Sequence, residues 1–137
     1  MRIVLDTNVL LVSISSKSRY RPILDSFLNE AFELCVTTDI LLEYEEIIGN
    51  HMGENLAAFV LQLIENAPNV RWITKYFKWN LIALDEDDNK FVDCAIACDA
   101  KFLVSDDRHF NALQQIPFPK VAVLTADEFN EIIKKEK

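Results

Sequence analysis

Met1-Arg2-Ile3-Val4-Leu5-Asp6-Thr7-Asn8 is the stretch on which the reading of this chain turns. The apolar run Ile3–Leu5 begins almost at the N-terminus and ends abruptly in Asp6. A short continuous apolar run of this kind fits a strand buried on both faces, as in a parallel sheet. Asp6 then stands at the carboxyl end of that strand, the edge of an open α/β sheet where ligands bind. A carboxylate there is costly without a partner. The rest of the chain offers more carboxylates rather than a matching Lys or Arg, which points to a metal cation. The competing reading of Asp6 is local, since Asp-Thr-Asn also favours turns and helix starts.

Working outward, strands alternate with helices. Strands are expected at 2–6, 34–37, 102–105 and 121–124, with an extended piece at 70–74. Helical spacing of apolar residues marks 20–31, 54–66 and 88–99. A further helix runs from Thr38 or Asp39 to about 49, closed by Gly49-Asn50, and another covers 107–114. Thr125-Ala126-Asp127-Glu128 is a capping box that opens a last helix. Such alternation implies a parallel sheet covered on both faces.

The 137 residues are expected to form one domain, 1–137. Half of them are hydrophobic, enough for a core, and two glycines argue against low complexity. No signal peptide or membrane span is legible, which leads to the expectation of a cytoplasmic protein without membrane contact. Cys35, Cys94 and Cys98 are odd in number and read as free, buried thiols rather than zinc ligands, because no second Cys/His pair accompanies them.

The net charge of −8 disfavours a general polyanion binder. Its distribution is uneven. Residues 85–107 carry eight acids against Lys90 and Lys101, whereas 13–22 carry Lys17, Arg19 and Arg21 with no acid. This basic stretch, read as the loop that leaves Asp6, is expected to hold the phosphates of a substrate.

Four further acids join Asp6. Glu43 lies at the margin of the apolar face of its helix, where an ordinary edge-of-core glutamate is the alternative. Asp93 sits within Phe91–Cys98, a helix apolar almost all round, and forms its one polar line with Asn89. A carboxylate there needs charge compensation or hydrogen bonds. Asp88 either caps that helix or joins the site from its start. Of Asp106 and Asp107, one caps the next helix and the other faces the site. Two like charges 4 Å apart repel by about 4 kcal/mol at an effective dielectric near 20. A convergent set therefore needs cations, and hard oxygen donors suit Mg²⁺ or Mn²⁺. Such a centre activates water and stabilises in-line phosphoryl displacement.

The order and spacing of these pieces resemble the PIN-domain family from Ile3 to Phe129. The residues that carry the likeness are Val4–Asn8, Thr38 with Leu41–Tyr44, Asp87–Asp93, and Leu103–Asp107. The subgroup most similar comprises toxin components of bacterial toxin–antitoxin pairs. The resemblance implies a three-layer α/β/α sandwich with a central parallel sheet, and a Mg²⁺/Mn²⁺-dependent ribonuclease. By position, it implies Asp6, Glu43, Asp93 and Asp107 as catalytic metal-binding acids, with Asp88 as a further candidate and Asn8 and Ser105 in support. It also implies an RNA substrate, an antitoxin partner and a homodimer. The alternatives are a PIN scaffold that binds without catalysis, and a haloacid-dehalogenase-like phosphatase. The phosphatase would need a second Asp where Asn8 stands, and a Lys near Ser105–Asp107. A receiver domain would leave Glu43 without a purpose.

Overall fold

The computed structural model describes residues 1–82 and 85–136. Five parallel strands form one sheet: β1 (Arg2–Leu5), β2 (Glu33–Val36), β3 (Val70–Trp72), β4 (Phe102–Val104) and β5 (Val123–Leu124). Their order is β3-β2-β1-β4-β5. Strand β1 is central, with Ile3 paired to Leu34 on one side and to Phe102 on the other. Successive strand residues point to opposite faces, yet Ile3, Val4 and Leu5 are all buried. Both faces are therefore covered, giving the three-layer α/β/α arrangement.

The covering elements are α1 (Thr7–Ser13), α2 (Arg21–Leu28), α3 (Thr38–Met52), α4 (Glu54–Asn66), α5 (Asn89–Ala97) and α6 (Ala126–Lys135). Short 3₁₀ stretches, Glu86–Asp88 and Arg108–Gln115, flank α5 and β4. The carboxyl ends of β1 and β4 lie side by side, because Leu5 pairs with Val104. Asp6 and Ser105 are the next residues on each chain, so the topology alone makes them neighbours.

Several boundaries differ from the sequence expectation for identifiable reasons. Residues directly after Asp6 form helix α1 rather than a loop, since Val9 and Leu10 both donate N–H to the Asp6 carbonyl. The basic residues 17–21 therefore form the connection between α1 and α2 and do not leave Asp6 directly. Helix α3 is capped by Thr37, whose Oγ1 accepts from the Ile40 N–H, not by Thr38 or Asp39. It passes through Gly49 and ends at Gly53, whose φ of +94° is a conformation that side chains with a Cβ resist. Residues 107–114 coil as 3₁₀ rather than α. The capping box at Thr125 and Glu128 is present with both of its hydrogen bonds. All three cysteines are buried and free. Among the described residues, no helix is long and apolar enough to cross a membrane.

Candidate active site

Asp6 adopts an extended conformation at the end of β1, and its N–H continues the ladder to Val104. Its carboxylate does not cap α1. Instead, Oδ2 accepts a 2.7 Å hydrogen bond from Ser105 Oγ. The group is 6% exposed and forms no ion pair among the described residues. Burial pushes its pKa up to about 6, and the nearby charges of Asp88 and Glu43 add to this. The Ser105 hydroxyl and the Thr7 backbone pull the other way.

Glu43 arrives from α3. Tyr44, the next residue, is fully buried and donates its hydroxyl to the Leu5 carbonyl at 2.6 Å, which fixes α3 against the end of β1. Both oxygens of Glu43 are occupied. Oε2 accepts from Thr7 Oγ1, and Oε1 lies 2.8 Å from Lys90 Nζ.

Asp88 enters from the 3₁₀ turn before α5 and is buried. Its pKa is raised chiefly by burial, with the Asp107 and Asp85 charges adding and His109 opposing. His109 Nδ1 lies 2.9 Å from Asp88, 3.4 Å from Asp107 and 4.0 Å from Asp85. The hydrogen bond to Asp88 holds the imidazole pKa above its ordinary value. One ligand atom each from Asp85, Asp88 and His109 lies within 4.8 Å of the others, a spacing that could hold a metal ion.

Asp107 leaves β4 two residues after Ser105. Its N–H donates to Ser105 Oγ at 3.0 Å, and its carboxylate accepts from the His109 N–H at 2.9 Å. Ser105 thus links Asp6 to Asp107. Asp106 turns away and accepts from the Ala126 N–H at the start of α6. It serves that helix rather than the one that follows it.

Four carboxylates from four separate elements therefore gather at one sheet edge: Asp6, Glu43, Asp88 and Asp107. Compensation by residues is partial, with Lys90 on Glu43 and His109 on Asp88 and Asp107. Asp6 has none. Hard carboxylate oxygens around a buried, uncompensated acid fit a divalent cation.

A PIN domain model matches residues 2–109 of this sequence. The chain belongs to the PIN domain family. Among curated proteins no match was found. Among solved structures, VapBC2 from Rickettsia felis bound to a DNA fragment from their promoter is similar, with a TM-score of 0.61 at 15% identity. The likeness covers 91% of this chain and 98% of the other, and it supports the fold.

In this PIN domain, Asp93 lines the cavity that Glu43 and Lys90 also line, but among the described residues no contact joins it to Asp6, Asp88 or Asp107. Its Oδ1 accepts from the Trp79 N–H at 3.0 Å, and the charge that bears on it is that of Lys78. Burial raises its pKa, but Asp93 is not among the groups that shift Asp6 or Asp88. Asn89 holds the Ile82 N–H and carbonyl, both at 2.9 Å. The polar line Asn89–Asp93 thus fastens the extended segment 73–82 to α5. Asn8 is exposed, and its expected contact with the acids is made by Thr7 instead. Arg21 bonds Asp25 and the Ile14 carbonyl, and Arg19 reaches Tyr20 and Asp127. Both guanidiniums thus have partners within the chain, Arg19 in a solvent-exposed pair with Asp127, and Lys17 forms no ion pair among the described residues.

Sequence reasoning overlooked Thr7, Lys90 and His109. Lys90 had a usable signal, a lone cation inside an acidic run. His109 gave none by spacing, because it meets Asp88 across 21 residues.

Proposed function

We propose that this PIN domain is a divalent-metal-dependent endoribonuclease, the toxin of a toxin–antitoxin pair. The observation that carries this reading is Asp6: a buried carboxylate without a cationic partner, amid Glu43, Asp88 and Asp107. A cluster compensated only in part, with its most buried acid bare, makes sense as a cation site. Asp6, Asp88 and Asp107 would hold the ion, with Glu43 completing the set once Lys90 yields. Bound Mg²⁺ or Mn²⁺ supplies a water activated for attack and offsets charge on the phosphate.

The residues of the chain do the rest. Ser105 orients Asp6 and Asp107 through one hydroxyl, the supporting role that tunes a metal centre. Thr7 orients Glu43. Lys90, once freed from Glu43, would offer its ammonium to a substrate phosphate. The likeness to VapBC2 supports a protein partner that restrains the activity, and a homodimer is part of the same reading.

The test is cleavage of a labelled single-stranded RNA by purified protein. Wild type should cut with Mn²⁺ or Mg²⁺ and stop with EDTA, and Asp6→Asn should lose at least a hundredfold, the upper scale for disturbing a metal site. Phosphomonoester turnover without RNA cleavage would overturn the reading.

A further inference from the structure

Outside the acid cluster, the two most exposed aromatic residues stand in one group. Phe77 and Phe118 are 68% and 81% exposed. They flank Trp79, with ring centroids 4.8 Å and 6.3 Å from it in edge-to-face geometry. Large apolar rings standing together in water are unfavourable unless something covers them. The patch is also held firmly. The Trp79 N–H is fixed by Asp93 and the Ile82 backbone by Asn89, so the extended segment bearing Phe77 and Trp79 is pinned to α5 at two points.

The two segments that carry these rings differ in charge from the rest of the sequence, although Asp93 and Asp39 reach the first of them from other elements. Residues 71–82 and 108–126, which carry all three rings, contain Arg71, Lys75, Lys78, Arg108 and Lys120 and no acid. The rest of the chain holds all 22 acids against the other nine cations. Of the five cations here, only Arg71 forms an ion pair among the described residues, with Glu33. Both segments also join the acid cluster along the chain. The first leads into Asp85 and Asp88, and the second begins directly after Asp107.

We propose that Phe77, Trp79 and Phe118, with Lys75, Lys78 and Lys120, form a platform for single-stranded RNA, with unpaired bases stacked on the rings and phosphates met by the lysines. This rests on the ribonuclease reading and assigns the face that holds its single-stranded substrate. Every base offers a face to an aromatic ring only when it is unstacked, so such a platform selects single strands over duplex. It also accounts for how a chain of net charge −8 engages a polyanion: lysines adjoin the rings along the chain, and Lys78 lines the cavity that Glu43 and Lys90 also line, so the platform borders the acid cluster.

The experiment is fluorescence anisotropy in EDTA, where no cleavage occurs. The probes are a labelled 12-nucleotide single strand of mixed sequence and a hairpin of the same composition. Wild type should bind the single strand more tightly. Phe77→Ala and Phe118→Ala should each weaken it about fivefold or more, with an unchanged salt slope. Lys75→Gln with Lys120→Gln should flatten the salt slope by roughly 0.7 per charge. The rings are exposed, so each variant should melt like wild type and keep its response to Mn²⁺, which separates lost binding from lost fold. Unchanged single-strand affinity after removal of both rings, or equal affinity for the hairpin, would overturn the platform. So would loss of a bound protein partner with RNA affinity intact, which would assign the face to that partner. A wild type that binds through the rings but never cleaves with any divalent ion would sink the nuclease reading and leave the platform standing.

Discussion

Asp6 is the residue on which the chemistry rests, and its environment makes a pH prediction. Its folded pKa of about 6 lies above its ordinary value of 3.8. The folded protein therefore holds this proton more tightly than the unfolded chain, and the stabilisation from doing so is present in acid and lost as pH rises through about 6. The loss amounts to about 3 kcal/mol, at 1.36 kcal/mol for each pKa unit. Metal-free wild type should therefore lose stability between pH 4 and 7 in denaturant titrations, and Asp6→Asn should lose markedly less. An identical decline in both would show that Asp6 is not the strained acid. Lys90 makes a second prediction. Its ammonium occupies Glu43 Oε1, the oxygen a cation would use. Lys90→Met should lower the melting temperature without metal and enlarge the rise on adding Mn²⁺, because the ion no longer competes with a tethered charge. A smaller rise would mean that Lys90 assists metal binding.

At the scale of elements, the loop after β4 separates two adjacent acids. Asp106 caps α6 through the Ala126 N–H, whereas Asp107 shares Ser105 with Asp6. Asp106→Ala should cost about 1 kcal/mol of stability, the usual value of a cap, and leave turnover nearly unchanged. Asp107→Asn should cut turnover at least tenfold with little change in stability. The opposite pattern, read from melting curves and cleavage rates together, would exchange their roles. The strands and most helices were legible because their signals are local: Ile3–Leu5 as a buried run, 54–66 as an apolar stripe, Thr125–Glu128 as a box. Helix α1 was hidden because Asp-Thr-Asn also spells a turn, and nothing in seven residues outweighs that. The end of α3 was misread because Gly49 has a helical alternative, while Gly53 alone needs a positive φ.

Across the whole molecule, the acid cluster depends on contacts no local pattern encodes. Asp6 and the pair Asp106-Asp107 are legible as residues at strand ends, since a parallel sheet aligns those ends, while the choice of Asp107 comes from the family resemblance. Glu43 was legible only through the family resemblance, because its helix wheel describes an ordinary edge residue. Asp93 was drawn in by a sound argument, that a carboxylate on a buried helix needs a partner. The partner proved to be the Trp79 N–H, supplied by a segment fourteen residues away whose path the sequence does not reveal. Asp88 was left between cap and site, and the fold turns it towards His109 and the other acids. Lys17, Arg19 and Arg21 read as substrate contacts from their charge and their place after Asp6, yet α1 intervenes and two of the three pair with acids of the same chain, Arg19 at the solvent-exposed surface. The most direct test of which acids build the centre is calorimetric titration of Mn²⁺ into wild type, Asp88→Asn and Asp93→Asn. Wild type and Asp93→Asn should bind with similar affinity, and Asp88→Asn should bind at least tenfold more weakly. Full binding by Asp88→Asn with loss in Asp93→Asn would contradict the account.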